Sequence, residues 1–143
     1  MHDSIIDTGP IKALFDDKDK YSIPIRNFFK DYKGKILTTL AIVTEVSYLL
    51  DENKYLQLGF IEWIKDFGVQ IVDISNEDFK LIHKYMEKYK DTPMDFADAS
   101  IVILSNKLNI NRIISLDTDF DVYRTINGKK FENLTRSIIK NKT

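Results

Sequence analysis

Four groups of carboxylates stand at the edge of, or inside, otherwise apolar stretches of this chain. Asp7 follows Ser4-Ile5-Ile6, Glu45 is the one charged residue between Leu40 and Leu50, Asp95 and Asp98 bracket Phe96-Ala97, and Asp117 and Asp119 follow Ile113-Ile114-Ser115-Leu116. A carboxylate beside core-forming residues loses hydration and needs a cation or hydrogen-bond donors to offset that loss. If one fold gathers these acids, they make an all-oxygen site suited to Mg²⁺ or Mn²⁺. The chemistry such a site supports is metal-assisted hydrolysis of a phosphodiester.

Each acid also has a plainer use. Asp7 could bond the backbone at the start of the following helix, but Gly9-Pro10 reads as the cap and first residue of that helix, which leaves Asp7 free as a ligand. Glu45 belongs to a helix too apolar for an open surface, so it either pairs with a Lys or Arg from elsewhere or ligates a cation; we take it as a ligand. Asp95 and Asp98 share one helix face. Thr92 and Asp95 have the spacing of a capping box, so Asp95 is assigned an auxiliary role and Asp98 ranks with Asp7 as a ligand. Asp117 is the first acid after its strand and the fourth ligand; Asp119 supports it or binds secondarily. Other chemistries lack their residues. The chain has no cysteine, hence no thiolate nucleophile or sulfur-based zinc site. It has no Gly-x-Ser-x-Gly elbow, no phosphate loop with lysine and no dinucleotide fingerprint. His2 is near the terminus, and His83, between Ile82 and Lys84 on a helical pattern, reads as solvated or partly packed.

The elements that must position these acids alternate between strand and helix. Strands are expected at Ser4-Ile5-Ile6, Ile36-Leu37-Thr38, 69–74 and 112–116, with a short edge strand at 120–124. Helical spacing is carried by Ile11, Leu14 and Phe15, by Ile25, Phe28, Phe29 and Tyr32, and by the run from Leu40 to Leu50. It recurs in Leu56, Phe60, Trp63 and Ile64, which pair with the preceding run as a helical hairpin, and in Phe79, Ile82, Met86 and Tyr89 behind a Ser75 cap. A last helix runs from Thr92-Pro93-Met94-Asp95 through Leu104. Such alternation implies an α/β fold with a parallel sheet, whose ligands bind beyond the carboxyl ends of the strands. Asp7 and Asp117 occupy two such ends.

A length of 143 residues fits one domain over 1–143. With 21 basic against 22 acidic residues, the net charge of −1 argues neither for nor against nucleic acid, since an acidic site can cancel a basic rim. Arg124, Lys129, Lys130, Arg136, Lys140 and Lys142 face Glu132 alone near the C-terminus, a segment that either steers phosphate or is simply solvated. No leader-like or membrane-spanning run is visible, and with no cysteine the expected location is cytoplasmic.

The motifs resemble those of the PIN-domain ribonucleases and, within them, the VapC-type toxins of prokaryotic toxin–antitoxin pairs. Asp7-Thr8-Gly9-Pro10 is similar to the first acidic motif of that family, Thr44-Glu45-Val46 to its helical glutamate, Ala97-Asp98-Ala99 to its third acid, and Ser115-Leu116-Asp117-Thr118-Asp119-Phe120 to its fourth. Ser115 stands where the family usually has threonine and keeps the hydroxyl. The resemblance implies a three-layer α/β/α sandwich around a central parallel sheet, a homodimer, and a Mg²⁺- or Mn²⁺-dependent endoribonuclease bound by a cognate antitoxin. Asp7, Glu45, Asp98 and Asp117 would be the catalytic and metal-binding set, with Thr8, Asp95, Ser115 and Asp119 auxiliary. The hairpin from Tyr48 to Trp63 would receive a second subunit or an antitoxin segment. Two alternatives stay open: a catalytically inactive PIN-like module that binds RNA or protein, and an aspartate-based phosphatase. The second is disfavoured by Gly9, since haloacid-dehalogenase-like phosphatases carry a second aspartate at that offset.

Overall fold

The computed structural model describes residues 2–139; Met1 and, from the basic C-terminal segment, Lys140 and Lys142 lie outside the described residues. Among those described, β1 (Ser4–Ile6), β2 (Ile36–Thr38), β3 (Gln70–Ile71), β4 (Arg112–Ile114) and β5 (Glu132–Asn133) form one sheet in the order β3-β2-β1-β4-β5. Every neighbouring pair is parallel, with Ile5 opposite both Leu37 and Ile113. Ser4, Ile5 and Ile6 are all buried, as a central strand covered on both faces requires. The sequence meets that requirement with an unbroken Ile-Ile rather than an alternating pattern.

Six helices connect these strands: α1 (Thr8–Phe15), α2 (Ser22–Asp31), α3 (Leu40–Leu49), α4 (Lys54–Lys65), α5 (Phe79–Lys88) and α6 (Phe96–Leu108). The expected parallel-sheet α/β architecture is therefore present. Helix α6 is buried at every position from Ala97 to Ser105, so its apolar run Ile101-Val102-Ile103-Leu104 has no solvent face to keep polar. At its end Asn109 takes the left-handed conformation (φ 53°) that stops a helix, and its amide bonds the Ser105 carbonyl. Phe15 on α1 meets Phe60 and Trp63 on α4 edge-on, at ring-centroid distances of 5.8 and 5.3 Å. Residues 50–53 join α3 to α4, and Gln57 Nε2 closes the turn on the Ser47 carbonyl at 2.7 Å.

Four local expectations are corrected. Residues 120–124 are not an edge strand: Thr118–Asp121 is a 3₁₀ turn, Arg124 forms only an isolated bridge with Lys130, and the edge strand is β5. Phe120 and Tyr123 are both buried at a spacing of three, a helical rather than an alternating pattern. Helix α1 starts at Thr8, so Asp7 rather than Gly9 holds the cap position, although its side chain makes no cap bond. Thr92 does not open α6. Asp95 is itself the cap, its Oδ1 accepting from the Asp98 amide at 2.8 Å, because the residue before Pro93 is biased out of helical geometry. The 69–74 strand contracts to Gln70–Ile71.

Gly34 has φ +130°, and a Cβ built there would stand 2.5 Å from the His2 carbonyl oxygen, in a turn that Tyr32 Oη ties to both His2 and Lys35. Gly34→Ala is expected to destabilise the protein by about 1–3 kcal/mol. Thermal unfolding followed by circular dichroism would read this as a fall of several degrees in Tm, and an unchanged Tm would contradict it.

Candidate active site

The chain runs outward from β1 through β2 to β3, then returns to place β4 and β5 on the other side of β1. That reversal opens a crevice beyond the carboxyl ends of β1 and β4, where ligands of open α/β sheets bind. Asp7 is the next residue after β1, its amide extending the ladder to the Ile114 carbonyl at 3.0 Å, and Asp117 lies just past β4. Asp95 and Asp98 reach the crevice from the start of α6, and Glu45 from the middle of α3. Together they line a cavity of about 330 Å³. Its walls are Asp7, Glu45, Asp95, Asp98, Asp117 and Asp119, with Thr8, Gly9, Pro93 and Leu116, and no Lys, Arg or His among them. All four sequence-derived ligands meet there, as do the auxiliary residues Thr8, Asp95 and Asp119.

Neutral donors hold the two most buried acids. Ser115 Oγ donates to Asp7 Oδ2 at 2.9 Å and accepts from the Asp117 amide at 3.0 Å, so one hydroxyl sets the spacing of two acids. Tyr123 Oη donates to Asp98 Oδ2 at 3.1 Å. Asp117 Oδ1 accepts from the Asp119 amide at 2.8 Å, capping the 3₁₀ turn. One oxygen each of Asp98, Asp117 and Asp119 lie within 4.8 Å of one another, which brings Asp119 into the tightest group although its sequence position suggested a supporting place. Glu45 makes no ion pair or side-chain hydrogen bond among the described residues, so a compensating Lys or Arg does not explain its position.

The electrostatics follow from crowding. Burial pushes the Asp7 carboxyl up to about 6 against the opposing Thr8 amide and Ser115 hydroxyl bonds, with the charges of Asp117 and Glu45 adding to the rise. Burial, then the charges of Asp95 and Asp7, push Asp98 up to about 8 despite the Tyr123 hydrogen bond. Asp119 is raised by burial and by Asp117. This is an uncompensated group of hard oxygen donors, which fits Mg²⁺ or Mn²⁺ and lacks the sulfur and imidazole that softer metals favour.

Three supporting residues escaped the sequence reading: Tyr123, Asn133 and Thr135. The Ser115 amide donates to Asn133 Oδ1 (3.2 Å) and Thr135 Oγ1 (3.1 Å), while its carbonyl accepts from Asn133 Nδ2 (3.1 Å) and Thr135 Oγ1 (2.8 Å). The segment at and after β5 thus clamps the strand end that carries Ser115. The buried pattern Phe120/Tyr123 was the available signal for Tyr123; nothing local marked the other two. In the same segment Arg136 Nε pairs with Asp121 at 3.0 Å, which gives that cation an intramolecular partner.

A carboxyl whose pKa is higher folded than unfolded makes the folded state bind more protons, so stability falls as pH rises between the two values. For Asp7 and Asp98 that window runs from the ordinary aspartate value of 3.8 to about 6 and about 8. The metal-free protein is therefore expected to lose roughly 5 °C of Tm or more between pH 5 and pH 8.5, as read by scanning calorimetry. Excess Mn²⁺ should restore most of that loss at the upper pH. A metal-free Tm that stays flat across the window would mean that the acids ionise without cost.

A family model for the PIN domain matches residues 4–125. Ribonuclease VapC26 of Mycobacterium tuberculosis is 22% identical over 130 residues, spanning 89% of this chain and 96% of that protein. The crystal structure of Mycobacterium tuberculosis VapC20, described as a sarcin-ricin loop cleaving toxin, superposes with a TM-score of 0.76 at 14% identity, covering 82% of this chain and 92% of that one. The structural likeness is one of fold. The matched segment contains β1 to β4 and every acid of the cavity, and the chain belongs to the PIN-domain family.

Proposed function

We propose that residues 1–143 form one nuclease domain, a Mg²⁺- or Mn²⁺-dependent endoribonuclease that acts in the cytoplasm as the toxin of a toxin–antitoxin pair. The observation that carries this reading is the crevice itself: six carboxylates at the switch point of a parallel sheet, with no cationic side chain lining it among the described residues. RNA is favoured as substrate because the curated relative is a ribonuclease and the structural neighbour cleaves the sarcin-ricin loop.

Asp7, Glu45, Asp98 and Asp117 would hold the cation, which when bound supplies a more acidic water and neutralises charge on the scissile phosphate. Asp7 and Asp98, the buried pair, supply fixed charge whose geometry is set from behind by Ser115 and Tyr123. Glu45 and Asp117 are half-buried and can accept a hydrogen bond from the attacking water, orienting it in line with phosphorus. Water adds to phosphorus as the bond to the leaving ribose oxygen breaks; the water's proton passes to solvent through these carboxylates, and the departing ribose oxygen takes up a proton from solvent to leave as a hydroxyl. Asp95, by capping α6, fixes the backbone from which Asp98 projects.

The partner surface is on α3 and α4, where Tyr48, Tyr55, Leu58 and Ile61 are exposed. Exposed apolar side chains of this kind suit an antitoxin segment or a second copy of the chain. Among the described residues no helix is long and apolar enough to cross a membrane.

The test is cleavage of a mixed RNA pool by purified protein with Mn²⁺, with EDTA and Asp98→Asn as controls. Both controls are expected to lower the rate by about 100-fold or more, a loss of roughly 3 kcal/mol of transition-state stabilisation. Asp98→Asn should keep or raise the metal-free Tm, since it removes a buried charge. Full cleavage in EDTA, or no cleavage by a folded protein that binds Mn²⁺, would overturn the reading.

A further inference from the structure

We infer that Tyr123 is a positioning residue for the cation site, its hydroxyl fixing the orientation of the Asp98 carboxylate. The inference rests on the metal-binding reading of the acids. Tyr123 is fully buried and donates to Asp98 Oδ2 at 3.1 Å from outside the four acidic motifs, without lining the cavity. Its ring has no freedom to follow a moving acid. Tyr89 packs edge-on against it at 5.1 Å and 71°, and Phe120 at 5.2 Å and 86°. Tyr89 is pinned in turn, its Oη accepting from the Arg124 amide at 3.1 Å.

The need for such a donor follows from the carboxylate's own torsion. The terminal torsion of an aspartate is broad and roughly two-fold, so the backbone of α6 places the Asp98 carboxyl group without choosing its plane. The neighbouring acids repel it, which favours turning away from the point where a cation must sit. A lysine or arginine would hold it but would also neutralise it and compete with the metal. A rigid tyrosine hydroxyl directs one oxygen while leaving the negative charge available. It acts as the outer partner that orients a metal ligand, a class whose removal costs 10- to 100-fold in affinity or activity.

The experiment titrates Mn²⁺ into the RNA-free protein of residues 1–143 by isothermal calorimetry, comparing wild type with Tyr123→Phe and Tyr89→Phe. Both variants keep their rings and lose one hydroxyl, but only the first loses a bond to an acid. Tyr123→Phe is expected to weaken Mn²⁺ binding about tenfold, and Tyr89→Phe by less than about twofold. The Mn²⁺ concentration for half-maximal cleavage should shift with the calorimetric value, whereas KM for RNA at saturating Mn²⁺ should not. Equal affinities for wild type and Tyr123→Phe, or equal weakening in both variants, would overturn the assignment while leaving the metal site standing. Failure of the wild type to bind Mn²⁺ at all would overturn the metal reading and this inference with it.

Discussion

Repulsion among carboxylates packed into one crevice is the constraint on which this structure turns. Among the described residues no lysine, arginine or histidine lines the cavity, so no cationic side chain in its lining cancels the charge of Asp7, Glu45, Asp95, Asp98, Asp117 and Asp119. Left to themselves these groups would separate or take up protons, and burial has already moved Asp7 and Asp98 well toward protonation. What keeps them together is mechanical. Strand ends and a helix start fix the backbone, and neutral donors fix the side chains. The Ser115 hydroxyl, the Tyr123 hydroxyl and the Asp119 amide each hold an acid without supplying a cation.

The core provides the stiffness for this arrangement. Ile5, Ile6, Ile113 and Ile114 sit in the two strands flanking the switch point, all essentially inaccessible, and α6 is enclosed along nine consecutive residues, Ala97 to Ser105. A close-packed interior resists small displacements, so acids anchored to it cannot relax apart cheaply. Behind the site, Asn133 and Thr135 satisfy both backbone groups of Ser115, at the point where the sheet ladder gives way to the loop bearing Asp117. These two residues lie beyond the segment that the PIN-domain family model matches, yet they brace the hydroxyl that links Asp7 to Asp117. The basic C-terminal segment thus has a structural duty that its charge does not advertise.

Legibility in the sequence tracked the range of the interaction. Asp7 and Asp117 were visible because an acid ending an apolar strand is a local pattern, and Glu45 because a lone charge in an apolar helix needs a reason. Asp98 stood out because it shares a helix face with Asp95 but, unlike Asp95, has no capping role to explain it. The α/β alternation gave the parallel sheet by the same local logic. What stayed hidden depends on contacts distant in sequence: Tyr123 reaches Asp98 across 25 residues, and Asn133 and Thr135 reach Ser115 across 18 and 20. Boundaries failed where two local signals competed. Gly9-Pro10 argued for a helix starting at Pro10, while the strand geometry at Asp7 let the helix begin at Thr8. Phe120 and Val122 alternate as a strand would, but the Asp117 cap and the burial of Phe120 with Tyr123 impose a tighter turn.

These misreadings fall at the edges of the site, where local preference and global need diverge most. A chain optimised for stability alone would place a cation among the six acids, or replace the buried ones with apolar residues. Either change would remove the demand for an external cation. Using hydroxyl and amide donors instead keeps each acid oriented and the group as a whole undercharged with respect to cations. The same choice explains why the supporting residues are Ser, Thr, Tyr and Asn rather than Lys and Arg. Two cations of the C-terminal segment are engaged elsewhere, Arg136 with Asp121 and Arg124 with the carbonyls of Asp121, Val122 and Tyr123. The cost in stability of the metal-free protein and the capacity to bind a divalent cation are therefore two consequences of one arrangement.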